Sequence, residues 1–349
     1  MKQAMYLDRD FLETPEGFLF CVVGCIHPRN RAIAYLKYVR NPNGKWGSGS
    51  RRFRRMMDAY TVPQVLDNVE MLRARYPEYV LNSRVLNVVI SAVPKSRVVH
   101  HYRPRERLSG LLASSRRDEL EHDVAAFVTT LSQESGVELE YFGVTGSILT
   151  RIHNIGFSDM DITVYGSDQA AKVKDTIIQE YRQSDSDIKL PEGENRTRML
   201  EQWRKRYSLS HAELAWFAER KWNRGTYIDR AFSLLPVPLP SEVAEKYGRR
   251  LYRPQGIVEG EAIIGGTYES LFLPCRYALQ DSGKGSVPDV EEITSYDGFY
   301  CGIFKHGDMV RYRGKLEKVL DKDTGSETRR ILIGSPEARG LDYIRPELV

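Results

Sequence analysis

Gly143-Val144-Thr145-Gly146-Ser147-Ile148-Leu149-Thr150-Arg151-Ile152-His153-Asn154-Ile155-Gly156-Phe157-Ser158-Asp159-Met160-Asp161-Ile162-Thr163-Val164-Tyr165 is the segment from which the architecture follows. A short strand (Leu139–Val144) ends in a Gly-Ser turn, a helix-length polar segment follows, and a second strand (Met160–Tyr165) opens with Asp159-x-Asp161. Gly146 lets backbone approach a ligand where a Cβ would block it. Ser147, at a helix start, offers a hydroxyl and backbone N–H groups to a phosphate. Asp159 and Asp161, two apart on a strand, point to one face. Two converging carboxylates repel each other unless they share cations, and hard oxygen ligands suit Mg²⁺ (or Mn²⁺), which takes phosphate oxygens as further ligands. Two such ions in one site are the basis of two-metal phosphoryl transfer.

Gly146-Ser147, an eleven-residue gap and Asp159-Met160-Asp161 resemble the Gly-Ser…Asp-x-Asp signature of the DNA polymerase beta-type nucleotidyltransferase superfamily. The wider run, Gly146 to Arg151 and Phe157 to Asp161, looks like the predicted nucleotidyltransferases of archaea. The resemblance implies an α+β fold with a nucleotidyltransferase palm. It also implies attack of a hydroxyl on the α-phosphate of a nucleoside triphosphate such as ATP, releasing pyrophosphate. Asp159 and Asp161 would be the shared ligands of two Mg²⁺ ions, and Gly146 and Ser147 would hold the β- and γ-phosphates. Arg151 or His153, in the following helix, would neutralise phosphate charge, although a solvated helix face is an equal reading of both. The superfamily expects a third carboxylate on a later strand. Gly256–Ile264 offers Glu261, with Glu259 on the same face, and Asp229 competes from just before the strand Phe232–Val237.

Outward from this centre the chain is expected to fall into three parts. Residues 1–110 read as an N-terminal α+β domain, with strands at Phe18–Val23, Ala32–Val39 and Val85–Val93 and an amphipathic helix from Thr61 to before Pro77. Residues 111–288 form the nucleotidyltransferase domain, with helices at 118–135 and from Gly166 to about Tyr181. A helical insertion at about 169–222 separates its strands, and Ser184–Arg198 reads as a polar loop. Residues 289–349 form a small β-rich, barrel-like unit built on the hairpin Met309–Leu320/Arg329–Gly334.

The 349 residues, 41% hydrophobic and 28% charged, exclude a disordered or fibrous chain, and no run approaches the roughly 18 apolar residues of a membrane span. The N-terminus lacks the apolar core of a secretory leader, so a cytoplasmic location is expected. Four cysteines are too few for a disulfide scaffold and their spacing makes no zinc knuckle. The net charge of +4 permits a nucleic-acid partner. Arg51-Arg52-Phe53-Arg54-Arg55, His100–Arg107, Arg204-Lys205-Arg206 and the basic hairpin with Arg311, Arg313, Lys315 and Lys318 are read as RNA-contacting surfaces or as solvated structural faces. The acceptor is thus expected to be RNA. The alternatives are a catalytically degenerate nucleic-acid-binding or regulatory protein on the same palm, and an enzyme that nucleotidylylates a protein or small molecule.

Overall fold

The computed structural model describes residues 5–58, 61–281 and 288–348; Met1 to Ala4, part of the stretch inspected for a leader, lie outside them. The architecture is mixed α+β. It divides into two compact units, each drawn from three chain segments: Met1–Asp58, Ala92–Gly193 and Trp222–Ala244 in the first; Ala59–Ser91, Glu194–Lys221 and Glu245–Val349 in the second. This division differs from the three-part expectation, because residues 1–110 are shared between the units. Among the described residues, no helix is long and apolar enough to cross a membrane.

The centre of the first unit is a five-stranded sheet in the order Ile188–Lys189, Arg224–Tyr227, Arg230–Val237, Met160–Tyr165, Phe142–Val144. Arg230–Val237 runs parallel to Met160–Tyr165, and the other neighbours are antiparallel. Along Met160–Tyr165 the strand alternation sends Met160, Ile162 and Val164 into the core, where Phe127 of the helix Glu119–Ser135 stacks at 4.5 Å from Phe232. That helix starts on a capping box between Asp118 and Glu121 and ends at Gly136 in the left-handed conformation (φ 64°). The same unit contains an antiparallel meander of Phe11–Glu13, Leu19–Val22 and Arg31–Arg40, flanked by Phe53–Arg55 and His100–Tyr102. Its inner side chains Phe11, Leu19, Cys21, Tyr38 and Phe53 form one core cluster with Leu149 and Ile152. The meander therefore packs directly on the segment that follows the Gly-Ser turn.

In the second unit, Arg250–Gly266, Cys275–Asp281, Val290–Ser295, Glu327–Ile333 and Met309–Asp321 pair in a ring, with Tyr343–Pro346 added to Met309–Asp321. A β-rich barrel is present, but its first stave begins at Arg250 instead of after 288. The helices Gly193–Tyr207 and His211–Arg220 pack on it through Trp203, Leu214 and Phe217. The stretch expected as a loop at Ser184–Arg198 instead contains the strand Ile188–Lys189 and the first turns of the helix Gly193–Tyr207. The first turns, residues 193–198, hold no apolar side chain, so apolar periodicity announces the helix only from Met199, where Met199, Leu200, Trp203 and Tyr207 pack on the barrel core.

A buried ionic centre ties two barrel strands. Glu317 accepts from Arg330 Nε at 2.9 Å and pairs with Lys315 Nζ at 3.0 Å, while the Arg330 guanidinium lies 3.7 Å from the Tyr252 ring centroid. All three charged side chains are almost fully enclosed. Glu317→Ala, which among the described residues leaves Lys315 only Glu337 at 3.3 Å and Arg330 only Glu292 at 3.9 Å as acidic partners, is expected to cost about 3 kcal/mol, read as a lower urea midpoint in the transition of the barrel unit.

Candidate functional site

Gly146 opens a four-residue helix, Gly146–Leu149, from a backbone with φ 66°. A Cβ built at Gly146 would stand 2.4 Å from Asp161 Oδ2, so the Asp161 carboxylate occupies the space that the missing side chain leaves. Thr145 fixes this contact from both sides: its N–H donates to the Asp161 carbonyl at 2.9 Å, and its hydroxyl donates to the Arg9 carbonyl at 2.7 Å. No side chain caps the helix. Ser147 is buried, and its hydroxyl donates to Ser158 Oγ at 3.4 Å, while Ser158 Oγ accepts the Asn154 N–H at 3.0 Å. These bonds close the loop between the turn and the acids into one rigid piece. Arg107 braces it from outside, donating to the Ile148 carbonyl at 3.1 Å and pairing with Glu121.

Asp159 is open to solvent and Asp161 is half-buried. The proximity of Asp161, and next the partial loss of water, push the Asp159 carboxyl up to about 6. Two neighbouring carboxylates, one of them exposed, are oxygen donors of the kind that suits a hard divalent cation.

Cationic side chains absent from the sequence reading surround the pair. Lys37, buried on the strand Arg31–Arg40, and Arg224 both favour the charged form of Asp159. Burial opposes the Arg9 charge, but Asp8 above all, with Asp161 contributing, raises the pKa of its guanidinium. Arg9 also holds a left-handed backbone (φ 71°), an uncommon state for a residue with a Cβ. No sequence signal marks Lys37, because 122 residues separate it from Asp159; strain of the Arg9 kind is likewise invisible in a sequence. Beside the acids, Phe157 is exposed and meets Trp46 edge-on at 5.5 Å.

The remaining expected residues fall elsewhere. Glu261 and Glu259 lie on Arg250–Gly266, a stave of the barrel unit and not a strand of the sheet that carries Asp161; Glu259 is ion-paired with Arg313. Asp229 is exposed in the turn between Arg224–Tyr227 and Arg230–Val237. The residue registered beside Asp161 on the neighbouring strand is Ser233, and Arg224 is registered beside Ser233. Arg151 is exposed with φ 55°. His153 is turned to Asp118, Nε2 to Oδ2 at 2.7 Å, and so belongs to the helix cap. Burial works against the Asp118 charge, but the Glu121 N–H and His153 hold its carboxyl below the usual range. Asp118, Glu121 and His153 bring three ligand atoms together, yet each is already engaged in the cap or with Arg107.

The basic clusters are partly consumed within the fold. Arg51 binds Glu13 and Tyr102, and His101 binds Asp10, whereas Arg52 and Arg54 are exposed. Arg311 and Lys315 are both ion-paired, and Arg206 binds Asp297 beside exposed Arg204 and Lys205.

The chain is similar to an uncharacterized protein of Methanocaldococcus jannaschii, 28% identical over 340 residues that span 97% of this chain and 98% of that protein. No protein-family profile and no solved structure matches the chain.

Two outcomes follow from this geometry. Gly146→Ala forces a Cβ onto the Asp161 carboxylate at a left-handed φ, and is expected to cost about 1–2 kcal/mol of stability and to lower divalent-cation affinity in calorimetric titration. Because the folded state holds the Asp159 proton up to about pH 6 while an unfolded aspartate releases it near 4, the metal-free protein is stabilised by acid and loses that stability as pH rises through about 6. Asp159→Asn is therefore expected to raise the melting temperature in chelator at about pH 7.5, with the gain vanishing towards pH 4.

Proposed function

We propose that the chain is a Mg²⁺-dependent nucleotidyltransferase that moves a nucleoside monophosphate from a triphosphate to a hydroxyl acceptor, RNA in the first instance. The observation that carries this reading is the seating of the Asp161 carboxylate in the space vacated by Gly146, with Asp159 beside it and open to solvent. In the reaction, an acceptor oxygen bonds to the α-phosphorus and the bond from that phosphorus to the bridging oxygen breaks. Pyrophosphate departs with the electron pair, and the hydroxyl proton is lost to solvent. Asp159 and Asp161 would hold Mg²⁺ or Mn²⁺, which supplies charge neutralisation to the phosphate oxygens when bound. The backbone N–H groups at the uncapped Gly146–Ser147 turn orient the phosphate tail. The rigid loop closed by Ser147, Ser158 and Asn154 keeps turn and acids in fixed geometry, and positioning and charge carry most of such a reaction. Exposed Arg52 and Arg54 lie on the same unit as the acids, as an RNA-contacting surface requires.

A second reading, a palm that binds triphosphate without turnover, draws on Ser233, a neutral side chain where a third acid would be registered.

The test is incubation of the full chain with each labelled triphosphate, total cellular RNA and Mg²⁺. Transfer of label to RNA is expected, and its loss in both Asp159→Ala and Asp161→Ala at unchanged circular dichroism. Label retained by either variant overturns the enzymatic reading. Triphosphate binding without transfer selects the non-catalytic palm, and label migrating with protein or a small molecule moves the acceptor to that class.

A further inference from the structure

Across the sheet, the register places Asp161, Ser233 and Arg224 in one row on three adjacent strands. Register partners share a face, so the row that starts with a metal-binding acid continues with a neutral hydroxyl and then a guanidinium. A second divalent ion beside the first needs another anionic oxygen donor, and a serine hydroxyl is a poor substitute for a carboxylate. Within the unit that carries the acidic pair, the described acid, histidine and cysteine side chains that gather as a trio are Asp118, Glu121 and His153, which the helix cap and Arg107 engage.

Positive charge is nevertheless concentrated here. Arg224 stands exposed in the row. Its field favours the charged form of Asp159, as does that of Lys37, which is buried on Arg31–Arg40 with its Nζ 5.4 Å from the Phe11 ring centroid and 5.7 Å from that of Tyr38.

We propose that this site holds one divalent cation per chain instead of two, and that Arg224 binds the phosphate tail of the triphosphate as a fixed charge. The inference rests on the triphosphate-binding reading above, yet ion count and label transfer are separate measurements. Arginine grips phosphate through its planar fork.

The test is Mn²⁺ binding to the full metal-free chain, followed by electron paramagnetic resonance, alone and with a non-transferable triphosphate whose α- and β-phosphorus atoms are bridged by carbon. One bound Mn²⁺ per chain with an isolated-ion spectrum is expected in both conditions, and none in Asp161→Asn. Two bound ions, or the exchange-coupled spectrum of a manganese pair, overturn the proposal while leaving the transferase reading intact. No bound Mn²⁺ at all overturns both. Calorimetry with the same triphosphate is expected to show about tenfold weaker binding for Arg224→Ala, with the ion count unchanged. Unchanged affinity in Arg224→Ala, an exposed position that does not endanger folding, overturns the assignment of the phosphate contact.

Discussion

The repulsion between Asp159 and Asp161 is the constraint around which the first unit is organised. Strand geometry gives two side chains at i and i+2 a common face, and the Gly-Ser turn leaves the one gap into which a carboxylate of the second fits. Every neighbour then acts on that pair. Thr145 spends its N–H on the acidic strand and its hydroxyl on Arg9. Lys37 and Arg224 bring charge of the opposite sign, and the hydroxyls of Ser147 and Ser158 lock the intervening loop. The arrangement is costly, since like charges are crowded where water is partly excluded, and a divalent ion held between them, as proposed, would relieve that cost.

The meander at the start of the chain takes part in this arrangement and does not stand apart from it. Phe11, Leu19, Cys21, Tyr38 and Phe53 share a core with Leu149 and Ile152, on the segment immediately after the turn. Arg9 and Lys37 lie at opposite ends of the same meander, so the packing that buries its apolar face also sets two cations beside the acids. The barrel unit has a different internal logic, with charges neutralised in place: Lys315, Glu317 and Arg330 satisfy one another beneath Tyr252, and Arg313 is occupied by Glu259. Its basic hairpin is therefore much less available to an RNA backbone than its composition implies.

What could be read along the chain was local. The Gly146–Asp161 relation is legible because turn, loop and strand are contiguous and alternation dictates the face. The Asp118 cap and Gly136 stop are legible because their chemistry lies within one helix. Glu261 shows where such reading ends: alternation assigns a face within a strand but not the sheet to which the strand belongs, and Arg250–Gly266 joins the barrel. His153 was drawn to phosphate by its position after the turn, whereas the structure gives it to a carboxylate 35 residues earlier. Lys37, Arg9 and Ser233 depend on strand pairing and sheet packing across long separations, which one sequence does not encode in any readable spacing. Of the helix Gly193–Tyr207, the part from Met199 is legible and the polar turns before it are not.

The interleaving of three segments in each unit has a consequence for biosynthesis. The chain passes from one unit to the other at residues 58–59, 91–92, 193–194, 221–222 and 244–245. The strand Met160–Tyr165, with Asp161 on it and Asp159 immediately before it, gains its parallel neighbour only when Arg230–Val237 leaves the ribosome, some seventy residues later. Until then an unpaired strand edge with two negative charges waits in the nascent chain, and those charges discourage mispairing with another chain. Neither unit is released alone by a single cut, because each is discontinuous: a chain ended at 244 keeps all of the first unit but still carries residues 59–91 and 194–221 of the second.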